Sequence, residues 1–207
     1  MAEELSKTPA KEREIAIFGG AFDPFHSGHA SAIRHLLNAE QIKRVVVMPS
    51  GDRPDKKSIS SAEDRLTMAR LGVSAYFGSD LRIEVSDLQA HGVIGYATYD
   101  VVSYFADKLA VSPLVVIGQE LMKDLPNWRD AEKLREKARF LVLVRPGASF
   151  DAKAPGWNLT VSRPFGAEGV AISSTELRAS LRTGARCPEF IEQSVYDYCC
   201  KRQLYLR

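Results

Sequence analysis

The sequence predicts an α/β fold, a doubly wound parallel sheet with helices on both faces, and three observations predict it. Short apolar runs alternate with helix-periodic stretches from Glu14 onward. Those runs are nearly unbroken, as in Val45-Val46-Val47-Met48, which suits strands covered on two sides. The polar and glycine-rich clusters that carry chemistry nearly all follow a predicted strand, as they do at the ligand-binding rim of such sheets.

The elements follow in order. Glu14–Phe18 reads as the first strand and stops at Gly19-Gly20. His29–Ala39 reads as a helix, with Ala32, Ile33, Leu36 and Leu37 spaced for an inner face. Arg44–Met48 is the second strand, and Pro49–Ser60 a polar loop with Gly51, Pro54, Lys56 and Lys57. Ser61 with Asp64 opens a capped helix whose inner face includes Leu66, Met68, Ala69 and Leu71. Leu81–Val85 is the third strand, Thr98–Leu109 a helix carrying Val101, Val102 and Phe105, and Leu114–Ile117 the fourth strand, ending at Gly118. Ala131–Ala138 is a short helix and Arg139–Val144 the fifth strand, stopped by Arg145-Pro146-Gly147. Ala148–Pro164 is expected as a long loop, either a lid or a flexible excursion. Val170–Ser173 is expected to close the sheet, and Ser174–Arg182 and Pro188–Arg202 to form the last helices.

Composition narrows the function. The apolar share is 45% and the formal charge +2, as in an ordinary globular protein with no polyanionic partner. Arg53, Lys56 and Lys57 are mixed with Asp52 and Asp55, so no basic stripe for nucleic acid forms. Cys187, Cys199 and Cys200 are odd in number and bunched, a poor disulfide framework, and no spacing resembles a metal site. Residues 1–13 are charged and lack the apolar core of a secretory signal. No stretch approaches the ~18 apolar residues of a membrane span. The expectation is a cytoplasmic protein with a flexible tail at 1–13, a single domain at 14–207 and no membrane partner; homo-oligomerisation is left open.

Two segments point to phosphate chemistry. Gly19-Gly20-Ala21-Phe22-Asp23-Pro24-Phe25-His26-Ser27-Gly28-His29 joins a strand to a helix start, where N–H groups and the positive helix end favour an anion. Gly28 leaves room for a phosphate, and an imidazolium at His26 or His29 would stabilise charge growing on a pentavalent phosphorus. Plain capping by the histidines is the competing reading. Ile172-Ser173-Ser174-Thr175-Glu176-Leu177-Arg178 again opens a helix with hydroxyls, and Arg178 can grip a phosphate bidentately. Ser173 with Glu176 also reads as a capping box.

These two segments resemble the His-x-Gly-His and Ile-Ser-Ser-Thr-x-x-Arg signatures of the nucleotidyltransferase superfamily, whose fold is Rossmann-like. More narrowly, Glu14 to Leu204 resembles the bacterial nicotinate-mononucleotide adenylyltransferases. The resemblance implies adenylyl transfer from ATP to a pyridine mononucleotide, without a covalent enzyme intermediate. It implies that His26, His29 and Arg178 are catalytic. It implies that Gly19, Gly20, Phe22, Gly28, Gly118, Glu120, Ser173, Ser174 and Thr175 meet ATP, and that Lys56, Thr98 and Trp128 meet the mononucleotide. Mg²⁺ would be bound through the ATP phosphates, with no protein metal site.

The middle motifs match less closely. Ala97 stands for the family's Tyr before Thr98 and Asp100, with Tyr96 and Tyr99 nearby; Glu120 stands for an Asp after Gly118; and Asp55 stands for a His before Lys56. Nicotinamide mononucleotide therefore stays open as the acceptor. Cytidylyl or pantetheine-phosphate adenylyl transfer shares the two terminal signatures, though the segment from Gly118 to Trp128 weighs against both. A nucleotide-binding sensor without turnover, motivated by Asp55 and Glu120, is the remaining alternative.

Overall fold

Strands β1 (Glu14–Gly20), β2 (Ile42–Pro49), β3 (Ile83–Val85), β4 (Leu114–Gly118), β5 (Arg139–Leu143) and β6 (Leu159–Ser162) form one sheet. Their order is 3-2-1-4-5-6, and every neighbouring pair is parallel. This is a computed structural model, and it describes residues 14–53, 59–110, 112–144, 155–162, 173–183 and 188–205. The expected tail at 1–13, Asp55, Lys56, Lys57, Ile172 and Cys187 lie outside the described residues. The chain builds outward from β1 through β2 to β3, then returns to lay β4 on the other side of β1. The strand order reverses between β1 and β4, which opens a crevice at their carboxyl ends.

The period-2 alternation of the strands separates two cores. Ala16, Val45, Val47, Leu114, Val116, Leu141 and Leu143 face α1 (Ser27–Leu37) and α2 (Ala62–Phe77), meeting Ala30, Ile33, Leu36, Ala69 and Val73. Their sequence neighbours face the opposite side. Ile17, Val46 and Met48 meet Val101 and Phe105 of α3 (Thr98–Leu109). Val115, Ile117, Phe140 and Val142 meet Met122 and Leu125 of a 3-10 segment (Gln119–Asn127) and Leu134 of α4 (Ala131–Lys137). Helices α5 (Ser174–Arg182) and α6 (Gln193–Lys201) form an outer layer on α2, where Leu177, Leu181, Val195, Cys199 and Tyr205 surround Met68. Burial pushes the Cys199 thiol up to about 12, so it serves as packing and not as a nucleophile.

Two sequence expectations change. The expected loop Ala148–Pro164 contains β6, which pairs with β5 from Phe140↔Leu159 to Leu143↔Ser162. Of the expected strand Val170–Ser173, Ser173 is described, as the N-cap of α5, and 170–172 lie outside the described residues. Helix α1 begins at Ser27, two residues before the expected start, because His26 caps it. The 3-10 segment has no local periodic signal and was not expected. The Ser61 cap of α2 forms as expected, with its hydroxyl accepting from the Asp64 N–H at 3.1 Å.

One contact gives the sheet edge a pH response. His35 of α1 reaches β6, its Nε2 lying 2.7 Å from the Ser162 hydroxyl. Burial lowers its imidazole below the ordinary 6.5. The unfolded chain therefore binds more protons than the folded chain as pH falls through that value, and stability present above it is lost below it. The urea midpoint should fall between about pH 7.5 and about pH 5.5, and the fall should be smaller in His35→Gln. An equal fall in both proteins would place the acid sensitivity elsewhere.

Candidate active site

The loop after β1 is built around Phe22 and Asp23. Phe22 has a left-handed backbone, φ 51°, and its ring is buried edge-on to Phe18 and to His29 at centroid distances of 5.5 and 4.8 Å. A Cβ on Gly20 would lie 3.1 Å from that ring, so the second glycine is the space Phe22 occupies. The side chain of Phe22 thus supports His29 from beneath; only its backbone stays near the rim. Asp23 is buried, with 4% of its surface exposed. Its carboxylate accepts from the main-chain N–H groups of Ile59 and Ser60 at 3.3 and 3.5 Å, and from the hydroxyls of Ser60 and Tyr205.

The two histidines form a reciprocal cap at the start of α1. His26 Nδ1 accepts the N–H of Gly28 at 3.1 Å, and His29 Nδ1 accepts the N–H of His26 at 3.2 Å. The rings overlap at 3.7 Å between centroids, tilted by 30°. Both Nδ1 atoms accept a hydrogen bond, so each ring carries its proton on Nε2. Two positive rings at this separation would repel strongly. The reciprocal cap thus engages both Nδ1 atoms, and it is through Nε2 that either ring would donate to a phosphate. Capping and phosphate contact are not rivals here, because capping fixes the tautomer that phosphate contact needs.

The late helix docks on this loop. Ser173 caps α5 in a reciprocal box with Glu176: its N–H donates to the Glu176 carboxylate at 2.9 Å, and its hydroxyl accepts from the Glu176 N–H at 3.3 Å. The Ser174 hydroxyl donates to the Pro24 carbonyl at 3.4 Å. The Arg178 guanidinium donates to the Asp23 carbonyl at 2.8 Å and to the Thr175 hydroxyl at 3.0 Å. The terminal signatures, 155 residues apart along the chain, thus share one loop.

The remaining residues line the crevice and its far side. A Cβ on Gly118 would sit 2.5 Å from both carboxylate oxygens of Glu120, so the glutamate curls back over the end of β4. Its extra methylene is taken up in that fold. Thr98 is the first residue of α3, and Asp100 accepts the N–H of Ala97 at 3.1 Å. Asp100 also pairs with Arg129, next to Trp128. Trp128 is half-buried, edge-on to Phe140 at 6.3 Å. The guanidinium carbons of Arg53 and Arg129 lie 5.6 and 5.3 Å from the centre of the Tyr96 ring. The structure thus joins the Trp128 segment to the start of α3 through Asp100 and Arg129.

Sequence reasoning missed three supporting residues. Arg65 of α2 is fully buried and donates to the carbonyls of Ser50 at 2.7 Å, Gly51 at 3.1 Å and Ser60, and to Asp52 at 3.3 Å. It fastens both ends of the loop between β2 and α2. Its signal was an arginine at an inward position of an amphipathic helix. Asp23 lay inside the recognised signature without a role of its own. Tyr205 has no local signal.

Comparison with known proteins agrees with this geometry. A cytidylyltransferase-like family model matches residues 17–180. A probable nicotinate-nucleotide adenylyltransferase of Solibacter usitatus is 32% identical over 196 residues, spanning 93% of this chain and 99% of that protein. One from Opitutus terrae is also 32% identical, spanning 93% and 97%. The chain belongs to the nicotinate-nucleotide adenylyltransferase family. The structure of Plasmodium falciparum nicotinic acid mononucleotide adenylyltransferase complexed with NaAD superposes with a TM-score of 0.79 at 24% identity, covering 93% of this chain and 97% of that one, which extends the shared fold across the family. As a family member the chain is an enzyme of nucleotidyl transfer. Among the described residues, no helix is long and apolar enough to cross a membrane, and no group of three or more His, Cys, Asp or Glu is placed to hold a metal ion.

Two measurements check the site. The ¹⁵N spectrum of the unliganded protein at neutral pH should show His26 and His29 as Nε2–H tautomers; an Nδ1–H signature on either ring would break the reciprocal cap. Gly72→Ala tests the support beneath the loop. Helix propensity favours alanine by about 1 kcal/mol, but its Cβ would run into the buried ring of Phe25. Overpacking of this kind costs roughly 1–3 kcal/mol, so the melting temperature should fall despite the better helix former. A rise would show that Phe25 has room to move.

Proposed function

We propose that this chain transfers the adenylyl group of ATP to nicotinate mononucleotide, releasing pyrophosphate and forming the dinucleotide precursor of NAD. Its family membership supports the reaction, and one observation supports the assignment of roles: Arg178 is bound to the main chain of the same loop whose end carries His26 and His29. Donors from both signatures thereby meet at the carboxyl rim beside the β1–β4 crevice.

The phosphate of the mononucleotide attacks the α-phosphorus of ATP, and the bond to the β-phosphate oxygen breaks. The attacking oxygen is already anionic, so no general base is required. The enzyme's task is to align two polyanions and offset their charge. The Nε2–H groups of His26 and His29 donate to the ATP phosphates as charge shifts toward the leaving group. Gly19, Gly20, Gly28 and the Phe22 backbone let the nucleotide approach the main chain. Arg178, with Ser173, Ser174 and Thr175 at the start of α5, holds the departing pyrophosphate. Gly118 and Glu120 meet the nucleotide sugar. Thr98 and Trp128 take the pyridine ring, the indole covering an electron-poor face, and Lys56 is assigned to the acceptor phosphate by the family resemblance alone. Mg²⁺ enters as part of the substrate, carried on the ATP phosphate oxygens.

In this reading residues 14–207 act as one domain behind a tail at 1–13, in the cytoplasm, with ATP and a pyridine mononucleotide as partners and no part for nucleic acid or membrane. Purified protein with ATP and Mg²⁺ should release pyrophosphate fastest with nicotinate mononucleotide. Faster release with nicotinamide mononucleotide or pantetheine phosphate would reassign the acceptor, and ATP binding without release from any acceptor would make the chain a sensor. His29→Ala should lower kcat by about 10²–10³-fold, the scale for loss of one transition-state donor, while leaving mononucleotide affinity nearly unchanged. Equal losses in both would remove the histidine from the transition state.

A further inference from the structure

The C-terminal segment reaches the active-site loop through one hydroxyl. Tyr205 is 7% exposed, lies three residues beyond the C-cap of α6, and packs among Met68, Leu177, Leu181 and Val195. Its hydroxyl lies 2.5 Å from Asp23 Oδ1, which also accepts the Ser60 hydroxyl. The phenol is shifted far above its ordinary value by burial first and by the nearby carboxylate second, so it stays a donor at every working pH.

Asp23 has two faces of importance. Its side chain collects Tyr205, Ser60 and the N–H of Ile59, and so anchors the end of the loop between β2 and α2. Its main-chain carbonyl receives Arg178. Three residues later the same backbone carries His26 into the reciprocal cap. Loss of that anchor would therefore release the Asp23 backbone, and with it the carbonyl that aims Arg178 and the segment that leads to His26. The alternative, that Tyr205 merely fills space, accounts for the ring but leaves the buried hydroxyl without a purpose that phenylalanine would not serve more cheaply.

We propose that Tyr205 is a positioning residue for adenylyl transfer, acting through Asp23 to hold Arg178 and His26 in mutual register. The proposal rests on the adenylyl-transfer reading. It requires no contact between Tyr205 and either nucleotide.

Tyr205→Phe tests it, since the ring keeps its packing and only the hydroxyl is lost. Small misplacements of catalytic groups cost up to about 10²-fold in rate, so kcat should fall roughly tenfold or more. The KM values for ATP and the mononucleotide should shift far less, and the melting temperature should stay above the assay temperature. A double-mutant cycle gives the decisive readout. The kcat losses of Tyr205→Phe and Arg178→Lys should be strongly non-additive, whereas those of Tyr205→Phe and Trp128→Ala should multiply independently. A Tyr205→Phe enzyme with unchanged kcat and a lowered melting temperature, or one additive with Arg178→Lys, overturns the proposal. Should that variant not fold, Ser60→Ala removes the other hydroxyl from the same oxygen, and the same cycle with Arg178→Lys decides. A wild-type chain that releases no pyrophosphate with any acceptor overturns the adenylyl-transfer reading and this proposal together; an active wild type with an unaltered Tyr205→Phe overturns this proposal alone.

Discussion

A single buried carboxylate organises the catalytic rim. Asp23 sits between β1 and α1, and the groups that satisfy it come from the loop before α2 and from the chain beyond α6. A buried carboxylate is costly unless each oxygen is supplied with donors. That cost is what makes Asp23 an effective constraint. The elements that supply it cannot drift without exposing an unsatisfied charge, so the two loops and the C-terminal segment are held in one arrangement. Arg65 repeats the principle with opposite sign, as a fully buried cation whose two terminal nitrogens donate to three carbonyls and one carboxylate of the neighbouring loop.

The sheet explains why such a node can govern chemistry. All six strands are parallel, so the loops that follow β1, β2 and β4 emerge on the same rim. The apolar alternation that buries Ala16 on one face and Ile17 on the other fixes the register of β1, and with it the direction in which Gly19 and Gly20 leave the sheet. Outer helices α5 and α6 have no strand beneath them in the sheet. They are placed by packing on α2, and α5 thereby delivers Arg178 to a loop that the chain left 155 residues earlier.

Legibility in the sequence followed the range of each signal. The strand-glycine-histidine segment and the Ser173–Glu176 box were readable because caps and glycine turns act within three or four residues. The buried strands were readable because two-sided burial removes polar residues from them. Strand β6 was not readable. It is a four-residue edge strand, Leu159-Thr160-Val161-Ser162, with none of its residues fully buried, so its composition resembles a loop. Tyr205 was invisible because its partner lies 182 residues away, and nothing near it in sequence needs a tyrosine. Glu120 was readable as a departure, but only coordinates could show that its added length folds back over Gly118.

The distribution of charge among the three central groups follows from the same hydrogen bonds. Protonating His26 on Nδ1 would break the cap on α1, and protonating His29 there would remove the acceptor for the His26 N–H. The helix start therefore uses both Nδ1 atoms as acceptors, with the rings stacked at 3.7 Å between centroids. In the proposed reaction their contribution is directional, two N–H dipoles fixed before substrate arrives. In the proposed reaction Arg178 is suited to supply formal charge. Its described partners, the Asp23 carbonyl and the Thr175 hydroxyl, are neutral oxygens that fix its orientation without cancelling its charge. Arg129 and Arg65, each paired with a carboxylate, have spent part of theirs on structure. In the proposed reaction, a guanidinium held by neutral acceptors keeps its attraction for the departing pyrophosphate.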